Sequence, residues 1–421
     1  MLRIIKTAAL SAMIIMTYAA AEAEPQTGNV IFFHPDGAGV NHWNAARIHG
    51  VGPDGELNWD KLPAIGVYTG HMSDRLTSTS HGGATVHSRG VKVQADSFGL
   101  DGTEMITAAS GVPQSIAQEA LAAGKAVALV QTGHIGEPGT AVFLSQSERR
   151  RDVDHIARQV IEAGAQVILG GGEKYLLPEG VEGRHGLGER TDGANLIELA
   201  QSLGYTIVYT REELLALDLN STNKVLGVFA HNHTFNDNPI AVNLANDLPH
   251  YETNAPTVAE MSVVALTIVS RDPDGFFVVV EEEATDNFPN DRNASGALEA
   301  LARADEAFGV MLGFVDARTD TLLITAADSD AGGMQVVSTD EPSAYVHGQY
   351  GLETALFTAA TDDRGVALPF GIGFVGDGGD VSGGILVRGA GFNRELITPL
   401  MDNTDVYKVM HTTLFGTSFE D

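Results

Sequence analysis

The stretch NVIFFHPDG, Asn29 to Gly37, is a short apolar run that stops abruptly at a carboxylate and a glycine. A continuous apolar run bounded by turn residues reads as a strand buried on both faces. Two later stretches repeat the pattern. FFVVV (Phe276 to Val280) runs into EEEATDNFPND, and TLLIT (Thr321 to Thr325) runs into AADSDAGG. Further strand-like runs are AVALV, QVILGGG, TIVYT, GIGFVG and GILVRG. Amphipathic helical patterns lie between them, among them VPQSIAQEALAAG, DVDHIARQVIEAG, ANLIELAQSLG, TVAEMSVVALTIVSR and ASGALEALARADEAFGVMLGFV. Such alternation predicts an α/β fold, a three-layer α/β/α sandwich with a mainly parallel central sheet. There is no repeat, low-complexity segment or linker. Residues 24–421 therefore read as one domain, with a polar, turn-rich insertion around 212–256.

Composition narrows the function. The chain has 55 acids against 25 bases, a net charge of −30, and no cysteine. That field repels nucleic acid and anionic membranes, so a nucleic-acid-binding module and a membrane partner are not expected. Thiolate ligands, a thiol nucleophile and disulfides are excluded outright. A solvated acidic surface also suits a salt-rich habitat, which predicts halotolerance. At the N-terminus, Arg3 and Lys6 precede AALSAMIIMTYAA and the small-residue site Ala21 to Ala23. This reads as a signal peptide over residues 1–23, with a mature chain beginning near Glu24 in the periplasm or outside the cell.

The acids after the three strands decide the chemistry. In open parallel sheets, ligands bind outside the carboxyl ends of the strands. Asp36, Glu281, Asp286, Asp328 and Asp330 all fall there, and they converge if their strands are neighbours. Converging carboxylates repel too strongly to persist without cations, so divalent metals are expected. Elsewhere, RLTSTSHGGATVHSRG (Arg75 to Gly90) concentrates hydroxyls and glycines, while QSERRRDVDHIARQ carries Arg149, Arg150 and Arg151 at a helix start. A basic triplet there opposes the helix dipole and so calls for a reason such as anion binding.

In this order, NVIFFHPDGAG, the Arg75 segment with its tail Ala84, Thr85, Gly90, Val91 and Lys92, QVILGGGEKYL, FFVVVEEEATD, LLITAADSDAGGM and NTDVYKVM resemble the alkaline phosphatase family. The resemblance runs from Asn29 to about Phe415. It implies a metal-dependent phosphomonoesterase acting on small phosphate monoesters through a phosphoserine. Counting back from Ala84 places the nucleophile on Ser80. Thr79 stands where the family has aspartate and remains an alternative nucleophile. Arg150 or Arg151 clamps phosphate, according to whether Ala141 to Phe143 or Thr140 sets the register. For the metals the resemblance implies Asp36 as the bridging acid, Glu281 with Thr140, then Asp286 and Asp328, and it implies a homodimer.

Three zinc-ligating histidines of the family are missing. Their positions hold Asn290, Ser329 and Asp380, with Asp330 a two-residue slip from Ser329. Carboxylate, amide and hydroxyl oxygens suit hard ions, so Mg²⁺ is expected, with Zn²⁺, Ca²⁺ or Mn²⁺ as alternatives. The other route is recruitment of histidines from elsewhere, such as His34, His81 or His134. Competing functional readings are phosphodiester or sulfate ester hydrolysis on the same fold, and a non-catalytic cation-binding protein whose site has decayed.

Overall fold

Strands β1 (Asn29–Pro35), β2 (Ala64–Thr69), β3 (Ala126–His134), β4 (Val167–Gly171), β5 (Thr206–Val208), β6 (Val225–Val228), β7 (Phe276–Glu282) and β8 (Thr321–Thr325) run in one direction in a ten-stranded sheet. The computed structural model describes residues 27–338, 355–375 and 379–419. The expected signal peptide, residues 1–23, lies outside the described residues. The spatial order is Leu400–Asp402, β2, Leu386–Gly391, β8, β1, β7, β3, β4, β6, β5. Within this sheet only Leu386–Gly391 runs against its neighbours.

β1, β3, β7 and β8 are buried along their whole lengths. Because side chains alternate across a strand, each feeds two cores. Ile31, Phe33, Val130, Val278 and Val280 enter one, while Val30, Phe32, Leu129, Phe277 and Val279 enter the other. The long helix Ala294–Asp316 covers the first face through a stripe of Ala297, Leu301, Ala304, Phe308, Met311 and Val315, spaced three or four apart. Asn293 starts that helix by accepting the Gly296 amide proton. Helices Ile116–Ala122, Val153–Glu162 and Asn403–Phe415 cover the other face. The result is three layers.

Two expectations change in detail. The polar range 212–256 is not wholly an excursion, because β6 within it joins the sheet beside β4. GIGFVG does not join the main sheet: Pro369–Gly373 pairs with Gln335–Ser338 and Ala355–Thr358 in a small antiparallel sheet. Among the described residues, no helix is long and apolar enough to cross a membrane.

The first core is anchored by aromatic packing. Phe308 meets Phe33 edge-on at 4.4 Å between ring centroids, and Trp43 lies at 5.7 Å. Replacing Phe308 with alanine is expected to cost about 3–5 kcal/mol of stability. Urea unfolding measures this, and a loss below about 1 kcal/mol would contradict the close packing described.

Candidate active and metal site

Parallel pairing puts the carboxyl ends of β8, β1, β7 and β3 side by side. His34 stands level with Glu281 across β1 and β7, and Phe33 stands level with Thr325 across β1 and β8. Asp36 follows β1, Glu283 follows β7 and Asp328 lies just past β8, so three strand ends deliver acids to one place. All of these side chains are buried. Candidate ligand atoms of Asp36, Glu281 and Glu283 lie within 4.8 Å of one another, as do those of His34, Asp36 and Asp328.

His34 sits in the middle. Its Nδ1 is 3.6 Å from Glu281, and its Nε2 is 3.5 Å from Asp328 and 4.0 Å from Asp36. Burial opposes its charge, but Asp328 and Glu281 outweigh that and push the imidazole up to about 9. One imidazolium does not balance this many acids. Burial, then the charges of Asp328, Asp286 and Glu283, holds Asp36 well above the usual carboxylate range. Glu283 and Asp286 are raised too, by burial and by neighbouring acids. Asp328 goes the other way, because burial is outweighed by the protons of His34 and Asp36.

The donor set fits hard cations. Both carboxylate oxygens of Asp36, Glu281 and Glu283, with one each of Asp286 and Asp328, are buried without a hydrogen bond. Unpaired buried oxygens at this density are costly, and oxygen-seeking divalent ions would satisfy them. The far end is built differently. Asn290 donates to Asp286 at 3.0 Å and to Asp380 at 3.2 Å, while its Oδ1 accepts the Gly332 and Gly379 amides. An amide thus bridges two acids there. Ser329 Oγ lies 3.5 Å from Asp328. Asp330 turns to His42 at 3.5 Å, and burial beside Asp380 moves it up to about 7.

The hydroxyl segment packs against this cluster. Ser80 opens the helix Ser80–Arg89 and is buried, and among the described residues nothing hydrogen-bonds its hydroxyl. Thr79 is committed as the helix cap: its Oγ1 accepts the Gly82 amide at 3.2 Å and donates to the Ala95 carbonyl. A Cβ at Gly83 would collide with Asp328 Cβ, so glycine lets the helix touch the acid directly. Ser78 and Asp328 both line an adjoining cavity of about 300 Å³ together with Tyr68, His71 and Ser382.

Arg150 reaches the same region and bonds Glu137 at 2.8 Å. Burial works against its charge, but Glu137 and then Glu283 keep it firmly protonated. Arg149 and Arg151 are exposed. Among the described residues no hydrogen bond joins Thr140 to Glu281; the Thr140 hydroxyl accepts from Gln131 at 2.6 Å. The residue against Glu281 is Gly139, where any Cβ would strike the carboxylate. His81 stays with Thr79, 3.2 Å away, and His134 joins Glu137 instead.

Sequence reasoning overlooked Glu283, Glu137 and His233. A run of three glutamates at a buried strand end was the available signal for Glu283, since a solvated run would not follow FFVVV directly. Glu282 points elsewhere and accepts from Thr132 and Tyr251. Nothing local marks Glu137 or His233.

The charge cluster has a pH consequence. Groups held above their ordinary values bind protons more tightly folded than unfolded, so stability falls as pH rises through that interval. His34 spans the interval from about 6.5 to about 9, and the raised acids act in the same direction. Burial lowers His42 and His81 to about 4 and His87 and His233 to about 3, so they are silent above pH ~6.5. In EDTA, the melting temperature is expected to decline from about pH 6.5 to 9, and excess Mg²⁺ should remove most of the slope. Thermal unfolding across that range checks it, and a flat profile in EDTA would contradict the cluster.

Known proteins share this architecture. A family model described as alkaline phosphatase matches residues 27–365. Over 337 residues the chain is 28% identical to the tissue-nonspecific alkaline phosphatase of Felis catus, covering 71% of this chain and 62% of that protein. It is 28% identical over 343 residues to the repressible alkaline phosphatase of Saccharomyces cerevisiae, covering 76% and 57%. The match thus spans about three-fifths of the length of these curated relatives. Alkaline phosphatase from the Antarctic bacterium TAB5 superposes with a TM-score of 0.72 over 93% of this chain and 100% of that one, at 20% identity. The Thermus thermophilus enzyme gives 0.73 over 98% and 97%, at 21% identity. The structural likeness speaks for the fold, and the family match over most of the sequence carries the assignment. This chain belongs to the alkaline phosphatase family.

Proposed function

We propose that the protein is an exported phosphomonoesterase that depends on divalent cations and uses Ser80 as its nucleophile. The observation that carries this reading is the set of unpaired buried carboxylate oxygens, one of whose residues, Asp328, packs against Gly83 in the first turn of the Ser80 helix. Family members bind divalent metals, and Asp36, Glu281, Glu283 and Asp328 are the residues that would hold them here. Bound cations would supply the positive charge that lowers the serine pKa and neutralises phosphate oxygens. Carboxylate donors outnumber the His34 imidazole in this cluster, which favours Mg²⁺ over Zn²⁺.

The chain's own groups have separate tasks. Ser80 Oγ forms the new P–O bond while the ester P–O bond breaks and the alcohol leaves; water then releases phosphate from the serine. Thr79 holds the helix start rather than attacking. The first amides of that helix point toward an incoming anion. Arg150 is the phosphate clamp, because a guanidinium can hold two oxygens at once and Glu137 leaves part of its fork unused. Export rests on the charged, apolar and small-residue pattern of residues 3–23.

Hydrolysis of chromogenic monoester, diester and sulfate substrates after EDTA treatment and single-metal return tests the reading. Monoester turnover restored by Mg²⁺ is expected. Rescue by Zn²⁺ alone would overturn the hard-ion assignment, and diester or sulfate preference would overturn the substrate class. Ser80→Ala should cut turnover at least about 10³-fold and abolish phosphate trapped on its peptide by acid quench. Thr79→Ala should keep turnover yet lose about 1 kcal/mol of stability with the cap. Arg150→Ala should weaken inhibition by inorganic phosphate about 10- to 100-fold, the worth of a charge-assisted hydrogen bond.

A further inference from the structure

A second polar cluster lies beside the acid site. His134 ends β3, Glu137 follows in the next turn, and His233 comes just after β6. His134 Nε2 is 2.8 Å from Glu137 Oε1, and His233 Nε2 is 3.9 Å from the same oxygen and 4.0 Å from Asp237 Oδ2. One donor atom from each of His134, Glu137 and His233 lies within 4.8 Å of the others. Zinc holds nitrogen and oxygen donors at about 2.0–2.2 Å, which spaces neighbouring donors roughly 3–4 Å apart. Small movements would close these atoms on one ion.

The His233 side chain is only 8% exposed. Among the described residues its ring makes no hydrogen bond: Nε2 is the atom that faces Glu137, and Nδ1 on the ring's other side is buried without a partner. A neutral imidazole left unpaired in a buried site is costly unless its lone pair has a use. Its surroundings hold it in place. Phe235 stacks on it at 4.9 Å and His134 at 5.2 Å. Thr234 ties the loop to β3 through two hydrogen bonds to the Thr132 carbonyl, both 2.8 Å. Glu137 is shared, with Oε2 taken by Arg150 and Oε1 facing the histidines.

We infer that His134, His233 and Glu137 form a separate site for a borderline divalent ion such as Zn²⁺. Two imidazoles meet one carboxylate here, whereas in the acid cluster the single imidazole of His34 stands among several carboxylates. On binding, the ion replaces the proton between His134 Nε2 and Glu137. That proton moves to His134 Nδ1, which ends the 3.2 Å contact from the Gly136 amide. The site stands independently of whether Ser80 transfers phosphate.

Equilibrium dialysis of the purified protein against Zn²⁺ in excess Mg²⁺ tests it, with Co²⁺ absorption as a second readout. One Zn²⁺ retained per chain is expected, with a Co²⁺ spectrum typical of nitrogen ligation. His134→Ala and His233→Ala should weaken Zn²⁺ by more than about 100-fold, beyond the cost of losing an outer-shell partner. His233→Phe keeps the ring stacking and should lose the ion while remaining folded by circular dichroism. Asp36→Asn should leave this equivalent in place. No Zn²⁺ retained by the unmodified protein, retention in His233→Phe, or loss caused by Asp36→Asn would each overturn the proposal. None of these readouts depends on phosphatase activity.

Discussion

Carboxylates gathered at the ends of adjacent parallel strands, out of reach of water, are the constraint around which this molecule is arranged. Asp36, Glu281, Glu283, Asp286 and Asp328 are buried together, and their mutual repulsion is only partly answered by His34 at the centre. An isolated ionised carboxylate in such surroundings would take up a proton or find a cation. Here the raised affinities of Asp36, Glu283 and Asp286 for protons express the same need that a divalent ion would meet.

The scaffold tolerates this because it is strong where the site is weak. Fully apolar strands feed two cores, one on each face, and keep the strand ends in register. Close approaches then bring the chemistry inward. Gly139 admits the Glu281 carboxylate and Gly83 admits Asp328, so the helix opened by Ser80 rests on Asp328 without an intervening side chain. Where the family resemblance would put three histidines, this chain carries Asn290, Ser329 and Asp380. At the Asp286 end, Asn290 stitches two acids together with its amide. On the β3 side, His134 and His233 face Glu137, the glutamate that also holds Arg150.

The layered fold and the order of the central strands' acids were legible because continuous apolar runs such as FFVVV have few alternatives to a doubly covered strand. The convergence of Asp36, Glu281 and Asp328 followed from strand ends in a parallel sheet. The Thr140 hydroxyl could not be placed, since a difference of one residue decides between Thr140 and Gly139 and only the path of a four-residue helix settles it. The strand β6 was hidden in a polar range because a four-residue strand leaves little periodic signal.

What the sequence determined by itself is the alternation of buried strands and amphipathic helices, the excess of acid, and the hydroxyl segment before Gly90. These depend on neighbouring residues and on composition. Tertiary structure alone decided that Glu137 faces His233, nearly a hundred positions away, and that His34 stands among three carboxylates. Such meetings arise from strand order and loop path, which bring together residues whose local sequences carry no trace of one another.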